Sequence, residues 1–121
     1  MEWKPIYMQQ QSLYPDILLP IAGGHVFIKT EEIVYMEANG SYTNIYLQDG
    51  RQTRISKKLK ATLEVLTPKL FVRIHHSYII GLTHIAKLVN GESTLIQMKN
   101  GTELPLSRSR KAEFLQKFKR L

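Results

Sequence analysis

Four dipeptides, Asn39-Gly40, Asp49-Gly50, Asn90-Gly91 and Asn100-Gly101, constrain the fold of this chain more than any other feature. Asn-Gly and Asp-Gly supply the positive φ angles that a two-residue type I′ hairpin loop demands. Their flanks are β-prone, so the chain is expected to double back on itself repeatedly. "SYTNIYL" (41–47) alternates Thr43, Ile45 and Leu47 on one face with Tyr42, Asn44 and Tyr46 on the other. "RQTRIS", after Asp49-Gly50, reads as its return strand. "STLIQM" (93–98), Asn100-Gly101 and "TELPL" (102–106) repeat the layout. "EEIVYMEA" (31–38) is a near-continuous apolar run, which suits a buried strand. "HSYIIGL" and "HIAKLV" read as two further strands around a turn at Leu82-Thr83.

Two segments carry helical periodicity instead. In "SKKLKATLEVLTPK" (56–69), Leu59, Leu63 and Leu66 recur at i, i+4, i+7, with Ser56 as N-cap and Pro68 as terminator. In "SRSRKAEFLQKFKRL" (107–121), Phe114, Leu115, Phe118 and Leu121 form a second stripe, capped by Ser107 or Ser109. The expected fold is therefore mainly β: antiparallel sheets joined by hairpins, with two short α-helices. A length of 121 residues argues for one domain. Residues 1–23 are expected to form an N-terminal extension and first strand, partly flexible, ahead of a domain over 24–121.

Composition narrows the function. Cysteine is absent, which excludes disulfides and thiolate chemistry and fits a reducing compartment, so a cytoplasmic location is expected. "ILLPIAGGHVFI" (17–28) is broken by Pro20 and two glycines and falls short of the ~20 apolar residues that span a bilayer. With no basic n-region ahead of it, it does not read as a signal peptide. Charge is unevenly distributed. Residues 1–50 hold two bases and six acids, a sum of −4; residues 51–121 hold 15 bases and four acids, a sum of +11. A polyanion is the natural partner of such a surface.

No motif argues for catalysis, a metal or a cofactor. His75 and His76 are neighbours in a β-prone stretch and should point to opposite faces, so they do not share an ion easily. His25 and His84 complete the histidines, and no HExxH pattern occurs. Ser77 adjoins His76, but neighbours on a strand do not make a nucleophile–base pair. There is no Gly-x-Ser-x-Gly elbow, P-loop or GxGxxG. The bases do cluster. "RQTRISKKLK" (51–60) carries Arg51, Arg54, Lys57, Lys58 and Lys60 without an acid, and "SRSRK" (107–111) places Arg108, Arg110 and Lys111 where a strand hands over to a helix. Hydroxyls and free amides there suit phosphate oxygens, and an arginine can reach a guanine edge with two parallel hydrogen bonds.

"EEIVYMEANGSYTNIYLQDG", "FVRIHHSYIIGLTHIAKL" and "NGTELPLSRSRKAEFLQ", in that order and spacing, resemble the LytTR DNA-binding domain of bacterial transcription regulators over roughly residues 24–121. The resemblance implies a mostly β domain that presents loops and strand ends to successive major grooves of double-stranded DNA, as a dimer on paired sites. It also implies a role as the output domain of a two-component response regulator, behind a receiver domain. Carried over by position, three regions would touch DNA. Asn39, Tyr42, His76, Arg108 and Arg110 are the candidates for base contact. Ser41, Arg54, Lys57, Lys58, Arg73, Ser77, Ser107, Ser109 and Lys111 are those for phosphate. Of the histidine pair, His76 is expected to face DNA and His75 to be a hydrogen-bonded structural residue. Two positions depart from the family pattern: arginine or asparagine is usual where His76 stands, and asparagine is frequent where Gly81 stands.

Two rivals compete with that reading. A β module for RNA or single strands would use Tyr42 and Tyr46 as stacking platforms. A protein-interaction module would use "PIYMQQQSLYPDILLPI" (5–21) to add a strand to a partner.

Overall fold

A computed structural model of the protein describes residues 14–121; most of the segment 5–21 considered for strand addition lies outside them. The strands are β1 (Ile17–Ile21), β2 (Gly24–Ile28), β3 (Ile33–Asn39), β4 (Tyr42–Leu47), β5 (Gln52–Ile55), β6 (Phe71–His75), β7 (Tyr78–Gly81), β8 (Ile85–Val89), β9 (Leu95–Met98) and β10 (Glu103–Pro105). Among the described residues there are also two five-residue helices, α1 (Leu59–Leu63) and α2 (Lys111–Leu115), and 3-10 turns at Thr30–Glu32, Leu82–His84 and Arg108–Arg110. All pairing is antiparallel, in a β1–β2 hairpin, a five-stranded sheet β5-β4-β3-β7-β6 and a three-stranded sheet β10-β9-β8. The mainly β fold expected from the turns and alternation is the fold observed.

The five-stranded sheet is buried on both faces. Ile33 and Met36 of β3, Ile45 and Leu47 of β4, Ile55, Phe71 and Ile79 pack against Leu19 and Ile28 of the hairpin and Leu59 of α1. On the other face Val34, Val72, Ile74 and Ile80 pack against Ile96 and Met98 of β9, Leu104 of β10, and Phe114 of α2. Each of these side chains gains roughly 1.5–3 kcal/mol from leaving water. The near-continuous apolar run of β3 follows from its central place between two covers.

The turns use their asparagines and aspartate differently from the expected type I′ pattern. Gly40, Gly50 and Gly101 do adopt positive φ, but among the described residues no other residue type does, and Gly91 does not. In the loops 48–50 and 99–101 the amide of the glycine bonds back to the last strand residue, Leu47 or Met98. The acid or amide side chain accepts the N–H two residues on: Arg51 to Asp49 Oδ1 (3.0 Å) and Thr102 to Asn100 Oδ1 (3.0 Å). These are three-residue hairpins ending in a left-handed glycine, in which Asp and Asn serve as local acceptors. Between Asn39 and Tyr42 the loop is two residues, with Gly40 leading at φ +61, the position that a type II′ turn reserves for glycine.

The two strands expected around a turn at Leu82-Thr83 are present as β7 and β8 on either side of the 82–84 turn, and they lie in different sheets, β7 in the five-stranded one and β8 in the three-stranded one. Two further expectations are corrected. The helix expected over 56–69 is α-helical only from Leu59 to Leu63. Beyond that the chain winds tighter, with Val65 N–H to Thr62 O and Leu66 N–H to Leu63 O, which still brings Leu66 into the core. Ser56 is not its cap: the N-cap position falls at Lys58, which makes no side-chain capping bond. In α2 only Phe114 of the expected stripe is buried; Phe118 and Leu121 are exposed, and the caps proposed at Ser107 and Ser109 make no side-chain capping bond.

Candidate nucleic-acid interface

Strand register collects the singled-out segments at one end of the five-stranded sheet. Asn39 pairs with Tyr42 at the β3–β4 turn, Thr43 with Ile55 where β5 runs out, and both Glu37 and His75 with Tyr78 at the start of β7. Two backbone bonds tie the three regions together. Ala38 N–H donates to Ser77 O (2.8 Å), and Ser107 N–H donates to Ile74 O (2.8 Å). The turns 39–42 and 76–77 and the 3-10 turn Arg108–Arg110 are therefore held in fixed relation by the main chain, whatever their side chains do.

The exposed side chains at this end are mostly basic or polar: Asn39, Ser41, Tyr42, Arg54, Lys57, Lys58, His76, Arg108 and Ser109, with Arg110, Ser77 and Lys111 half-buried. Arg54 donates from Nε to Asn44 Oδ1 (3.2 Å), and its guanidinium lies 5.7 Å from the centre of the Tyr42 ring, a cation–π arrangement. Thr43 Oγ1 donates to Lys57 O (2.7 Å), which fixes the path of the lysine segment as it leaves β5. Lys111 Nζ reaches Thr94 Oγ1 (3.4 Å). The hydroxyl of Ser107 is shielded from solvent and finds no hydrogen-bond partner among the described residues.

His75 and His76 do not point to opposite faces. Their rings lie 4.3 Å apart, centre to centre. His76 lies beyond the end of β6, in the turn to β7, so strand alternation does not apply to the pair; a bulge just before it, between the Arg73–Ile79 and His75–Tyr78 pairs, leaves Ile74 as the extra residue. His75 is half-buried, and its Nδ1 accepts the Ser77 N–H (3.1 Å), so the neutral ring carries its proton on Nε2. Burial, then His76, Arg110 and Arg73, hold its pKa below the ordinary histidine value. His76 is exposed. His75 thus bonds within the protein while His76 is exposed, and the alternation expected of the pair is not found. Among the described residues no three His, Cys, Asp or Glu side chains group to hold a metal ion.

Behind the turns lies a polar cluster that sequence reasoning missed. Glu37 Oε1 accepts the Tyr46 hydroxyl (2.9 Å) and Asn44 Nδ2 (3.5 Å), while Oε2 accepts the Tyr78 hydroxyl (3.4 Å). Tyr46 stacks on Tyr35 at 4.3 Å, so one face of the ring proposed as a nucleic-acid platform is already covered. The period-2 pattern did carry a signal, since Glu37, Asn44 and Tyr46 share the face opposite Met36 and Ile45. Burial, then the Glu37 carboxylate and Tyr35, push the Tyr46 phenol up to about 12. Because the folded pKa lies above an unfolded value of about 10, this contribution to stability is complete below about pH 10 and is lost as pH rises toward 12. Absorbance titration should show this phenol ionising late, and Glu37→Gln should bring it part of the way back, since burial remains. Titration of Tyr46 at the ordinary tyrosine value would contradict the network.

Comparison with known proteins identifies the family and the fold. The family model described as the LytTr DNA-binding domain matches residues 23–119. The heme-containing CO-sensing transcriptional regulator RcoM 2 of Paraburkholderia xenovorans is 34% identical over 92 residues, 73% of this chain and 34% of that protein. The sensory transduction protein LytT of Bacillus cereus is 32% identical over 98 residues, 77% of this chain and 38% of that protein. The chain thus spans little more than a third of the length of these relatives. A solved LytTr DNA-binding domain from Bacillus cereus superposes with a TM-score of 0.73 at 22% identity, covering 86% of this chain and 96% of that one, which establishes the shared fold.

Proposed function

The chain belongs to the LytTR family of DNA-binding domains found in transcription regulators, and on that premise we propose that it binds double-stranded DNA sequence-specifically as the non-catalytic output domain of a bacterial response regulator. The observation that carries this reading is the collection of turns 39–42 and 76–77, the 108–110 segment and the basic residues after β5 at one end of the sheet, tied by the Ala38–Ser77 and Ser107–Ile74 bonds. Asn39, Tyr42, His76, Arg108 and Arg110 read base edges. Ser41, Arg54, Lys57, Lys58, Ser77, Ser109 and Lys111 meet phosphates and fix orientation. The protein acts in the cytoplasm, as a dimer on paired sites, under the control of a receiver domain.

Selection of binding sequences from a random duplex pool at near-physiological salt tests this. The expected outcome is a motif of two short elements about one helical turn apart. Log affinity for that motif should fall with log salt at about −0.9 per phosphate neutralised. Enrichment of nothing, with binding that vanishes on adding salt, would leave only a basic surface.

A further inference from the structure

The turn between β6 and β7 presents four consecutive carbonyls, and each has a defined donor. Ile74 O accepts Ser107 N–H and Ser77 O accepts Ala38 N–H, both at 2.8 Å. The two between them, His75 O and His76 O, accept from a single side chain: Arg73 donates through Nε to His75 O (3.2 Å) and through Nη2 to His76 O. Arg73 is half-buried, with Arg110 close enough to depress its pKa together with burial. A guanidinium meets two carbonyls in one plane because its N–H groups form a rigid fork. An ammonium on a flexible stem carries the same charge without that geometry.

We propose that Arg73 is a positioning residue: its fork fixes the His75–Ser77 turn and so the direction in which His76 leaves the surface. The assignment rests on the DNA reading above and differs from the phosphate contact that the sequence suggested for Arg73. Its Nε–Nη2 edge is engaged by the protein itself, whereas Arg108 at the same end is exposed. The same fork keeps Ser77 N–H against His75 Nδ1, which makes the imidazole tautomer a reporter of the clamp.

The test pairs Arg73→Lys with Arg73→Gln and is read first on the free protein. In both variants the His75 nitrogen resonances should move from a single tautomer toward a mixture, and the Ser77 amide should exchange at least tenfold faster. Amides of β9, remote from the turn, should stay protected and so exclude general loosening. On the selected duplex, both variants should lose discrimination at the base pair nearest His76. The salt slope of Arg73→Gln should stay that of the parent, where loss of a phosphate contact would lower it by about 0.9. A parental imidazole spectrum and Ser77 exchange rate in Arg73→Lys would overturn the proposal. So would a shallower salt slope in Arg73→Gln with discrimination intact. A parent chain that prefers no duplex sequence defeats the DNA reading and the specificity role with it, while the free-protein spectra still decide whether Arg73 clamps the turn.

Discussion

Gly81→Ala is expected to destabilise the fold by about 3 kcal/mol, the upper end of the usual cost of overpacking. Gly81 ends β7, opposite Phe71, and is buried. A Cβ there would lie 2.5 Å from Ile33 O, 3.2 Å from His84 Cδ2 and 3.4 Å from Val34 O. The nearest atom is backbone of the central strand, so it cannot swing aside without carrying the β3 pairings with β4 and β7. The His84 ring is held by Nε2 against Glu31 O at 2.7 Å and does not yield freely. Conformation is not the obstacle, because φ −84 and ψ 123 suit any residue. Alanine should even gain roughly 0.4–1 kcal/mol by restricting the unfolded chain, too little to offset the clash. Chemical denaturation should show a lower midpoint at unchanged slope. A shift below about 0.5 kcal/mol would mean that the strands part more easily than their packing suggests.

The same position explains one departure from the family pattern. Gly81 lies at the opposite end of β7 from Tyr78, where the turn segments gather. A side chain at 81 is therefore placed for the packing between β3 and the 82–84 turn, away from the candidate interface. Sequence reasoning saw the missing asparagine but had no means of seeing that Ile33 O fills its space.

What the sequence made legible follows from periodicity. The faces of β4, the buried run of β3 and the pairing of β9 with β10 are all encoded within about ten residues. What it left hidden depends on contacts between distant segments. The transfer of β8 to a second sheet is set by Val34, Ile80, Ile96 and Met98 meeting in one cluster, which no local pattern reports. The end of β6 at His75 puts His76 in a turn and lets the two rings meet, and that boundary is visible only once β6 is registered against β7. The shortness of the helices has the same origin, since only Leu59, Thr62 and Leu66 of one segment and Phe114 of the other find deep places in a core built mainly by strands. The site shows the same division: Arg108 and Arg73 look alike as basic residues in polar segments, yet one is exposed and the other, half-buried, engages two carbonyls of its own turn.

Arg108→Ala and Arg110→Ala are expected to cost about 1–3 kcal/mol each in discrimination at the base pair each reads, a loss of roughly 5- to 150-fold. Lys58→Ala should instead weaken all sequences about equally. The contrast follows from placement. Arg108 and Arg110 sit on a short 3-10 turn preceded by Ser107, whose amide is bonded to Ile74 O, so their backbone is fixed relative to the His75–Ser77 turn. A side chain on a fixed backbone can be complementary to one base pair and mismatched to the next. Lys58 is exposed on the segment leading into α1 and makes no side-chain capping bond, so on DNA its ammonium would follow whichever phosphate is nearest. Arg110, half-buried near Arg73 and His75, has less freedom than Arg108, and its loss should also disturb discrimination at the neighbouring base pair under His76. Competition binding against single-base variants of the selected site, run at two salt concentrations, separates the classes. Unchanged site preference in both arginine variants would move base reading to the 39–42 and 76–77 turns and leave the 108–110 segment with phosphates alone.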